Sequence, residues 1–281
     1  MHYLKYFGLD EKPFELTPNP KYLYLSDEYR RGFEHLLYGI RNREGFLVVT
    51  GEIGTGKTTL LRTVLGCLRD ERWRTAFVFN PSLSAEELLQ VILEDFGIEV
   101  ESSMSKKEMM DRLNEFLLEQ LRKGRHAVVL IDEAQNLAPS VLEEIRLLTN
   151  LETESQKLLQ VVLFGQPELR DILNYPDLVQ LNQRVAVRYH LEPLPFRHVG
   201  RYVRHRLTVA GNNGRVEFTP WALYRLYRYS GGVPRLINKA CDKALLAGYL
   251  DRSEKITGGM VREGIDAVEG KQRSGVLGLG L

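Results

Sequence analysis

The feature that most constrains this chain is the stretch from Gly51 to Thr58, which reads GEIGTGKT. It fits the pattern G-x-x-x-x-G-K-[ST], in which glycines let the backbone curl so that its N–H groups point inward. The apolar run Phe46–Thr50 predicts a buried strand before this loop, and a helix is predicted to open at Thr59. A strand, this loop and a helix in that order predict a site for the phosphates of a nucleotide.

Each residue type in the loop has a predicted task in binding ATP and Mg²⁺. The N–H groups of the loop and of the following helix N-terminus are expected to hold the α- and β-phosphates. Lys57 is expected to reach the β- and γ-phosphates as a mobile positive charge, and the Thr58 hydroxyl is a predicted Mg²⁺ ligand. The predicted nucleotide contacts in this region are Gly51, Glu52, Ile53, Gly54, Thr55, Gly56, Lys57, Thr58 and Thr59.

A second apolar strand, Ala127–Ile131, delivers the carboxylates of Asp132 and Glu133 to its C-terminal end. Ligands bind at the carboxyl ends of the strands in open α/β sheets. Asp132 is therefore predicted to hold Mg²⁺, directly or through water, and Glu133 to polarise the attacking water as general base. An acidic pair favours an ATPase, which hydrolyses ATP to ADP and phosphate, over a kinase.

Strands alternating with helices predict an α/β fold with a five-stranded, mostly parallel sheet that is flanked by helices. The predicted strands are Phe46–Thr50, Thr75–Phe79, Ala127–Ile131, Leu158–Phe164 and Val185–Leu191. Capping boxes predict three helix starts, at Ser84 with Glu87, Ser105 with Glu108, and Ser140 with Glu143. Thr219 followed by Pro220 predicts another start.

The pattern divides the chain into four segments. Prolines among aromatic residues predict an extended arm without a helix over residues 1–25. An ATPase core over residues 26–193 and an all-helical lid domain over residues 194–270 follow, and residues 271–281 are expected to be a flexible tail.

Composition narrows the class of protein without identifying a partner. The 281 residues are 43% hydrophobic and 27% charged, as in soluble globular proteins of one or two domains. The net charge of +1 gives no indication of a polyanionic partner. The sequence contains neither a recognisable signal peptide nor the about 18–20 apolar residues of a membrane span, which favours a cytoplasmic protein.

From about residue 26 to 269 the chain resembles the AAA+ ATPases, which implies further site residues. Gln166, just after the fourth strand, takes the position of a polar sensor of the γ-phosphate, where Asn is commoner. Arg184 takes the position of an arginine finger, with Arg188 as a rival, and a finger implies a site shared between subunits of a ring or filament. Arg235 takes the position of a second sensor that reaches the γ-phosphate of its own subunit.

The resemblance also implies where the adenine lies. In AAA+ proteins the segment before the first helix lies beside the base, which implies contacts from Tyr24 and Leu25, with Pro234 and Ile237 of the lid on the other side. Packing of the arm on the sheet or on a neighbouring subunit is an equal alternative.

Several segments look more specifically like the general secretion pathway protein A (ExeA) family. They are Tyr6-Phe7-Gly8-Leu9 and Pro18-Asn19-Pro20 in the arm, GEIGTGKTTL from residue 51, DEAQNL from residue 132 and GQPEL from residue 165. This resemblance implies a bacterial ATPase that assists the assembly of an envelope secretion or exopolysaccharide export machine. Many members continue into a membrane span and a peptidoglycan-binding domain, which this sequence lacks. Anchoring at the inner membrane is therefore expected only if a partner supplies it or if the sequence is a fragment of a longer protein.

The same ATPase type is similar to transposition regulators of the TnsC and TniB kind, which form filaments on DNA. From Phe196 to Arg252 the lid carries eleven Lys or Arg residues against three acidic ones, a net charge of +8. A basic lid, or Lys106 and Lys107, can face a phosphate backbone. The alternative is that the lid arginines serve ATP and subunit contacts. A polypeptide-threading unfoldase is disfavoured, because Asn80–Ser84 lacks the aromatic residue of a pore loop.

Overall fold

A computed structural model describes residues 2–79, 82–154 and 156–271, so the predicted tail from residue 272 onward and Asn80 and Pro81 lie outside the described residues. Contacts within the chain divide it into two compact units. The core unit is Asp27–Glu192, and the lid unit combines Met1–Ser26 with Pro193–Leu281.

The core unit is built on a five-stranded sheet with the strand order β2-β3-β4-β1-β5 and parallel pairing throughout. Its strands are β1 (Phe46–Gly51), β2 (Trp73–Val78), β3 (His126–Ile131), β4 (Leu159–Gly165) and β5 (Val185–Leu191). The predicted five-stranded parallel sheet is therefore confirmed. The second strand starts two residues earlier than predicted and ends before Phe79, whose side chain is 59% exposed.

Helices cover the sheet and bury its apolar side chains. They are α2 (Asp27–Arg41), α3 (Lys57–Cys67), α4 (Ala85–Asp95), α5 (Lys106–Arg122), α6 (Pro139–Leu148), α7 (Glu168–Leu173) and α8 (Val179–Gln183). Because the strands are parallel, their carboxyl ends lie at one edge of the sheet. The loop after β1 is therefore at the same edge as the ends of β3 and β4.

Two of the three predicted capping boxes are confirmed, and the third is wrong. Ser84 and Ser105 cap α4 and α5, with reciprocal bonds from Glu87 and Glu108. The helix α6 instead begins at Pro139, with Ala138 at the N-cap, so Ser140 lies inside its first turn. Proline fits the first helical position because its φ is preset and it has no N–H to leave unpaired. A capping box with Ser140 at the N-cap would instead require the helix to begin after Ser140.

The lid unit contains α1 (His2–Phe7), α9 (Phe196–Val209), α10 (Pro220–Ser230), α11 (Pro234–Leu250) and α12 (Gly258–Val268). Thr219 caps α10 as predicted, by accepting a bond from the backbone N–H of Ala222. The lid is not entirely helical, because the two-residue strands β6 (Glu217–Phe218) and β7 (Lys255–Ile256) pair in parallel.

The prediction of an extended arm without a helix is wrong for residues 2–7, which form α1. The helix-breaking prolines start only at Pro13, and Phe7 gains a fully buried position in the lid core from the helical turn. The later part of the arm is tied to α9 by Arg206, which is 7% exposed and donates to the carbonyl oxygens of Pro13 at 2.5 Å and Glu15 at 3.2 Å. The arm is thus part of the lid unit.

Candidate nucleotide-binding and catalytic site

The loop between β1 and α3 has a backbone that depends on its glycines. Gly54 and Gly56 have φ values of +83° and +108°, in a region that residues with a Cβ rarely adopt. A Cβ on Gly51 would lie 2.7 Å from the carbonyl oxygen of Leu191 on β5. The loop therefore wraps tightly around the N-terminus of α3, where the N–H groups have no helical partner.

Lys57, the first residue of α3, is 6% exposed and folds back over this loop. Its Nζ donates to the carbonyl oxygens of Gly51 at 2.6 Å and Glu52 at 3.0 Å. Burial lowers the pKa of Lys57, and the nearby carboxylates of Glu133 and Asp132 act against that shift. An ammonium group has three donors, so one remains for a phosphate oxygen, and the loop fits a bound polyphosphate.

Thr58 and Asp132 bring the two halves of the site together. The Thr58 hydroxyl donates to Oδ2 of Asp132 at 2.8 Å, and the backbone N–H of Glu133 donates to Oδ1 at 3.0 Å. Burial raises the pKa of Asp132, which is 2% exposed, while these two hydrogen bonds favour the charged form. A hydroxyl and a carboxylate are the hard oxygen ligands that Mg²⁺ takes in addition to phosphate oxygens and water.

The described residues contain no group of three or more His, Cys, Asp or Glu side chains that could hold a metal ion by itself. Thr58 and Asp132 are described residues whose side-chain oxygens fit Mg²⁺ when a nucleotide and water supply the other ligands.

Glu133 lies directly after β3 in a left-handed conformation, with a φ of +52°. Its Oε2 accepts hydrogen bonds from Nε2 of Gln135 at 2.7 Å and, at the longer distance of 3.3 Å, from Nε2 of Gln166. The backbone N–H of Gln166 in turn donates to Oε1 of Gln135 at 2.9 Å. The predicted base and the predicted sensor are therefore joined, both directly and through Gln135.

Sequence reasoning did not select Gln135 as a site residue. The available signal was its place two residues after Glu133, in the turn Ala134–Asn136, but an amide in a turn has many uses. A Cβ on Gly165 would lie 3.2 Å from Oε1 of Gln135, so the end of β4 allows this amide to approach closely.

A second network that the sequence did not reveal supports the end of β1. Nε of Arg170 donates to the Thr50 hydroxyl at 2.9 Å, and this hydroxyl pairs with Nδ1 of His190 at 3.0 Å. Burial, together with the Arg170 charge, lowers the pKa of His190. These bonds link β1, β5 and α7 directly before the loop begins.

The predicted arginine finger bonds to its own subunit in this structure. Nη1 of exposed Arg184 donates to the carbonyl oxygen of Arg146 and the hydroxyl of Thr149, both at 3.4 Å, and to Oδ1 of Asn150. Its rival Arg188 donates through Nη2 to the carbonyl and side-chain oxygens of Asn182, both at 2.6 Å. Among the described contacts of Arg184, none reaches the phosphate loop.

The residues predicted from the lid lie in varied surroundings. Arg235 is exposed in the first turn of α11, and no residue that the structure describes pairs with its guanidinium. The Tyr24 hydroxyl pairs with Nδ1 of His198 at 3.0 Å, and Leu25 is 38% exposed. Ile237 is fully buried in the lid core, so Pro234 is the more accessible of the two apolar lid residues expected near an adenine.

Comparisons with known proteins identify relatives of this chain. The AAA domain family profile matches residues 40–173. Over 279 residues the chain is 47% identical to general secretion pathway protein A of Aeromonas hydrophila, and the match covers 99% of this chain and 51% of that protein. The chain thus spans about half the length of the curated relative that it matches.

Solved structures show the same architecture. Cdc6p of Pyrobaculum aerophilum matches with a TM-score of 0.72 at 18% identity, over 92% of this chain and 71% of that one. The ORC1 protein of Aeropyrum pernix in complex with DNA matches with a TM-score of 0.67 at 20% identity, over 92% and 70%. At these identities the likeness shows the fold alone, which is the AAA+ fold. Within the residues that the structure describes, none of the helices has both the length and the apolar character that a membrane span requires.

Proposed function

Because the chain is an AAA-domain protein related along its whole length to general secretion pathway protein A, we propose that it is an ATPase whose nucleotide cycle switches its own assembly. The observation that carries this proposal is the joining of the two predicted half-sites. Thr58 of the loop bonds to Asp132, and Glu133 beside it is oriented by Gln135 and Gln166. This arrangement combines phosphate binding with a carboxylate that can accept a proton from water.

In this proposal the loop and α3 bind the polyphosphate of ATP. Backbone N–H groups hold the α- and β-phosphates, and Lys57 gives its remaining donor to a β- or γ-phosphate oxygen. Thr58 and Asp132 would hold Mg²⁺, which would neutralise phosphate charge.

Glu133 acts as the general base. Both of its hydrogen bonds in the described chain fall on Oε2, which leaves Oε1 for the proton of an attacking water. Gln166 senses the γ-phosphate and is linked to Glu133 by a hydrogen bond. Arg184 of a neighbouring copy supplies the arginine finger. We assign to Arg235 a contact with the γ-phosphate, and to Tyr24 and Leu25 contacts with the adenine.

The assembly switch serves an envelope machine through protein partners, which recruit the chain to the inner membrane. The general secretion pathway protein A relative supports this pathway.

The proposal is tested by measuring ATP turnover and particle mass on the same samples with ATP, ADP and a non-hydrolysable ATP analogue. We expect turnover, and assembly with the ATP analogue but not with ADP. A rate of ATP turnover per molecule that does not change with protein concentration would contradict the assembly switch.

We predict that Gln135→Leu lowers kcat about 10–100-fold, because a hydrogen bond to a charged group contributes about 1.5–3 kcal/mol. The Michaelis constant for ATP should stay within about twofold, since Gln135 bonds to Glu133 and Gln166 and not to the loop.

The matched control for this prediction is Asn136→Leu, which removes an exposed amide from the same turn. We expect wild-type kinetics for Asn136→Leu. An equal loss of kcat in Asn136→Leu and Gln135→Leu would mean that the turn as a whole, and not the hydrogen bond from Gln135 to Glu133, supports hydrolysis.

The second candidate function is the DNA-bound transposition regulator, and the net charge of +8 between Phe196 and Arg252 is the observation that favours it. Lys106 is less available than its sequence position implied, because its ammonium pairs with Glu144 at 2.6 Å. We predict weak duplex-DNA binding that is indifferent to nucleotide. The regulator instead requires ATP-dependent binding that falls about a thousand-fold between about 50 and 200 mM salt, as six or more phosphate contacts demand.

A further inference from the structure

The helices α9 and α10 present an exposed surface of arginines and aromatic rings that the nucleotide site does not use. We call this surface the lid face, and it consists of Phe196, Arg201, Arg204, Trp221 and Tyr224. Phe196, Trp221 and Tyr224 are 49%, 57% and 40% exposed. Neither helix contains an acidic residue, so no carboxylate of α9 or α10 offsets the positive charge of Arg201 and Arg204.

The rings of the lid face are held in place. Trp221 stacks on Tyr224 with ring centroids 5.2 Å apart, and Phe196 meets Tyr224 edge-on at 6.2 Å. A Cβ on Gly258 would lie 2.3 Å from the Trp221 ring, so the indole rests directly on the start of α12. The guanidinium of Arg225 lies 5.6 Å from the centroid of the Trp221 ring. Fixed Trp and Tyr rings and arginine are typical of the residues that dominate binding energy at protein interfaces.

The core unit carries a surface of opposite charge beside the first turns of α5. Lys106 at this helix start pairs with Glu144, and exposed Lys107 is not among the residues that line the surface. We call it the α5 groove, which has a volume of about 320 Å³. The carboxylates of Glu101, Glu108, Asp111 and Glu115 and the thioether of Met104 line it, with Arg112 as the basic lining residue. The lining thus carries a net charge of −3, and Arg112 already donates to the carbonyl oxygen of Glu99 at 2.9 Å.

We propose that the lid face of one copy docks on the α5 groove of a second copy. Arginines of the lid face pair with the carboxylates of the groove, and its aromatic rings cover the Met104 side of the groove. The two surfaces differ, so the contact is head-to-tail, and repeating such a contact gives a ring or a filament. A nucleic acid or a membrane would use the lid face but would leave the acidic groove without a partner.

This inference rests on the proposed self-assembly and names the contact that produces it. The test uses charge reversal in the full chain. Arg201→Glu with Arg204→Glu reverses the lid face, Asp111→Lys with Glu115→Lys reverses the groove, and a third variant carries all four changes. Particle mass is measured against protein concentration with a non-hydrolysable ATP analogue, and circular dichroism checks the fold.

We expect each reversed pair to raise the concentration for half-assembly at least about tenfold, because like charges then face each other. The variant with all four changes should return to within a few-fold of wild type. The control is Glu86→Lys with Glu94→Lys on α4, which changes the net charge by the same amount as the groove reversal at exposed positions. This control should assemble like wild type.

Three outcomes would overturn the inference. If wild type assembles and both reversed pairs assemble equally well, the self-assembly part of the proposed function stands and this contact is wrong. If Arg201→Glu with Arg204→Glu loses binding to duplex DNA or to anionic lipid vesicles and still assembles, the lid face serves that ligand instead. If wild type hydrolyses ATP but never assembles, the self-assembly in the proposed function fails together with the contact.

Discussion

Glu133→Gln is expected to bind ATP like wild type and to hydrolyse it about 10²–10⁴-fold more slowly, the loss typical of removing a general base. The amide that replaces the carboxylate has nearly the same shape but cannot accept a proton from water at neutral pH. Binding should persist, because the loop contacts and the Thr58–Asp132 bond do not involve the Glu133 side chain. Nucleotide binding at equilibrium and single-turnover hydrolysis, measured on the same protein, separate the two effects.

Two further variants make this result specific. Lys57→Ala should lose ATP binding itself, because the buried ammonium is the charge that we propose for the β- and γ-phosphates. Glu86→Gln makes the same carboxylate-to-amide change at an exposed position on α4 and should leave binding and turnover at the wild-type level. Wild-type turnover by Glu133→Gln would mean that another group activates the water.

The two halves of the site could be predicted from sequence because each is continuous along the chain. The loop from Gly51 to Thr58 and the pair Asp132 and Glu133 each follow an apolar strand, and the carboxyl ends of parallel strands meet at one edge of a sheet. Their separation of about 75 residues is therefore no obstacle, and Thr58 and Asp132 are in contact in the structure.

Features that depend on side-chain contacts between distant segments could not be predicted. The link from Gln135 to Gln166 depends on how closely the turn after β3 approaches the end of β4. The helix α1 forms where the arm packs into the lid core, because the packing of Phe7 there outweighs the local pattern of prolines and aromatic residues. The sequence around Ser140 fits a capping box, but the helix begins one residue earlier, at Pro139.

Arg184→Ala is expected to bind ATP and to lose hydrolysis by up to about 10³–10⁵-fold, as when an arginine finger is removed. In the structure the described hydrogen bonds of Arg184 all start from Nη1 and reach the C-terminal end of α6. These bonds hold the guanidinium in one orientation. Its other donors, Nε and Nη2, can then face the nucleotide of a neighbouring copy. Arg188→Ala, an equally exposed arginine that bonds to Asn182, is the matched control and should keep most activity.

Mixing two inactive variants tests whether Arg184 acts on the neighbouring copy. In a co-assembled mixture of Arg184→Ala and Glu133→Gln, an interface regains both residues when the first variant supplies Glu133 and the second supplies Arg184. A random one-to-one mixture places both residues together at about one quarter of the head-to-tail interfaces, and activity should recover in that proportion. If particle-mass measurements show co-assembly and the mixture stays inactive, Arg184 acts within its own subunit. Each copy would then hold a complete site, and hydrolysis would not require assembly.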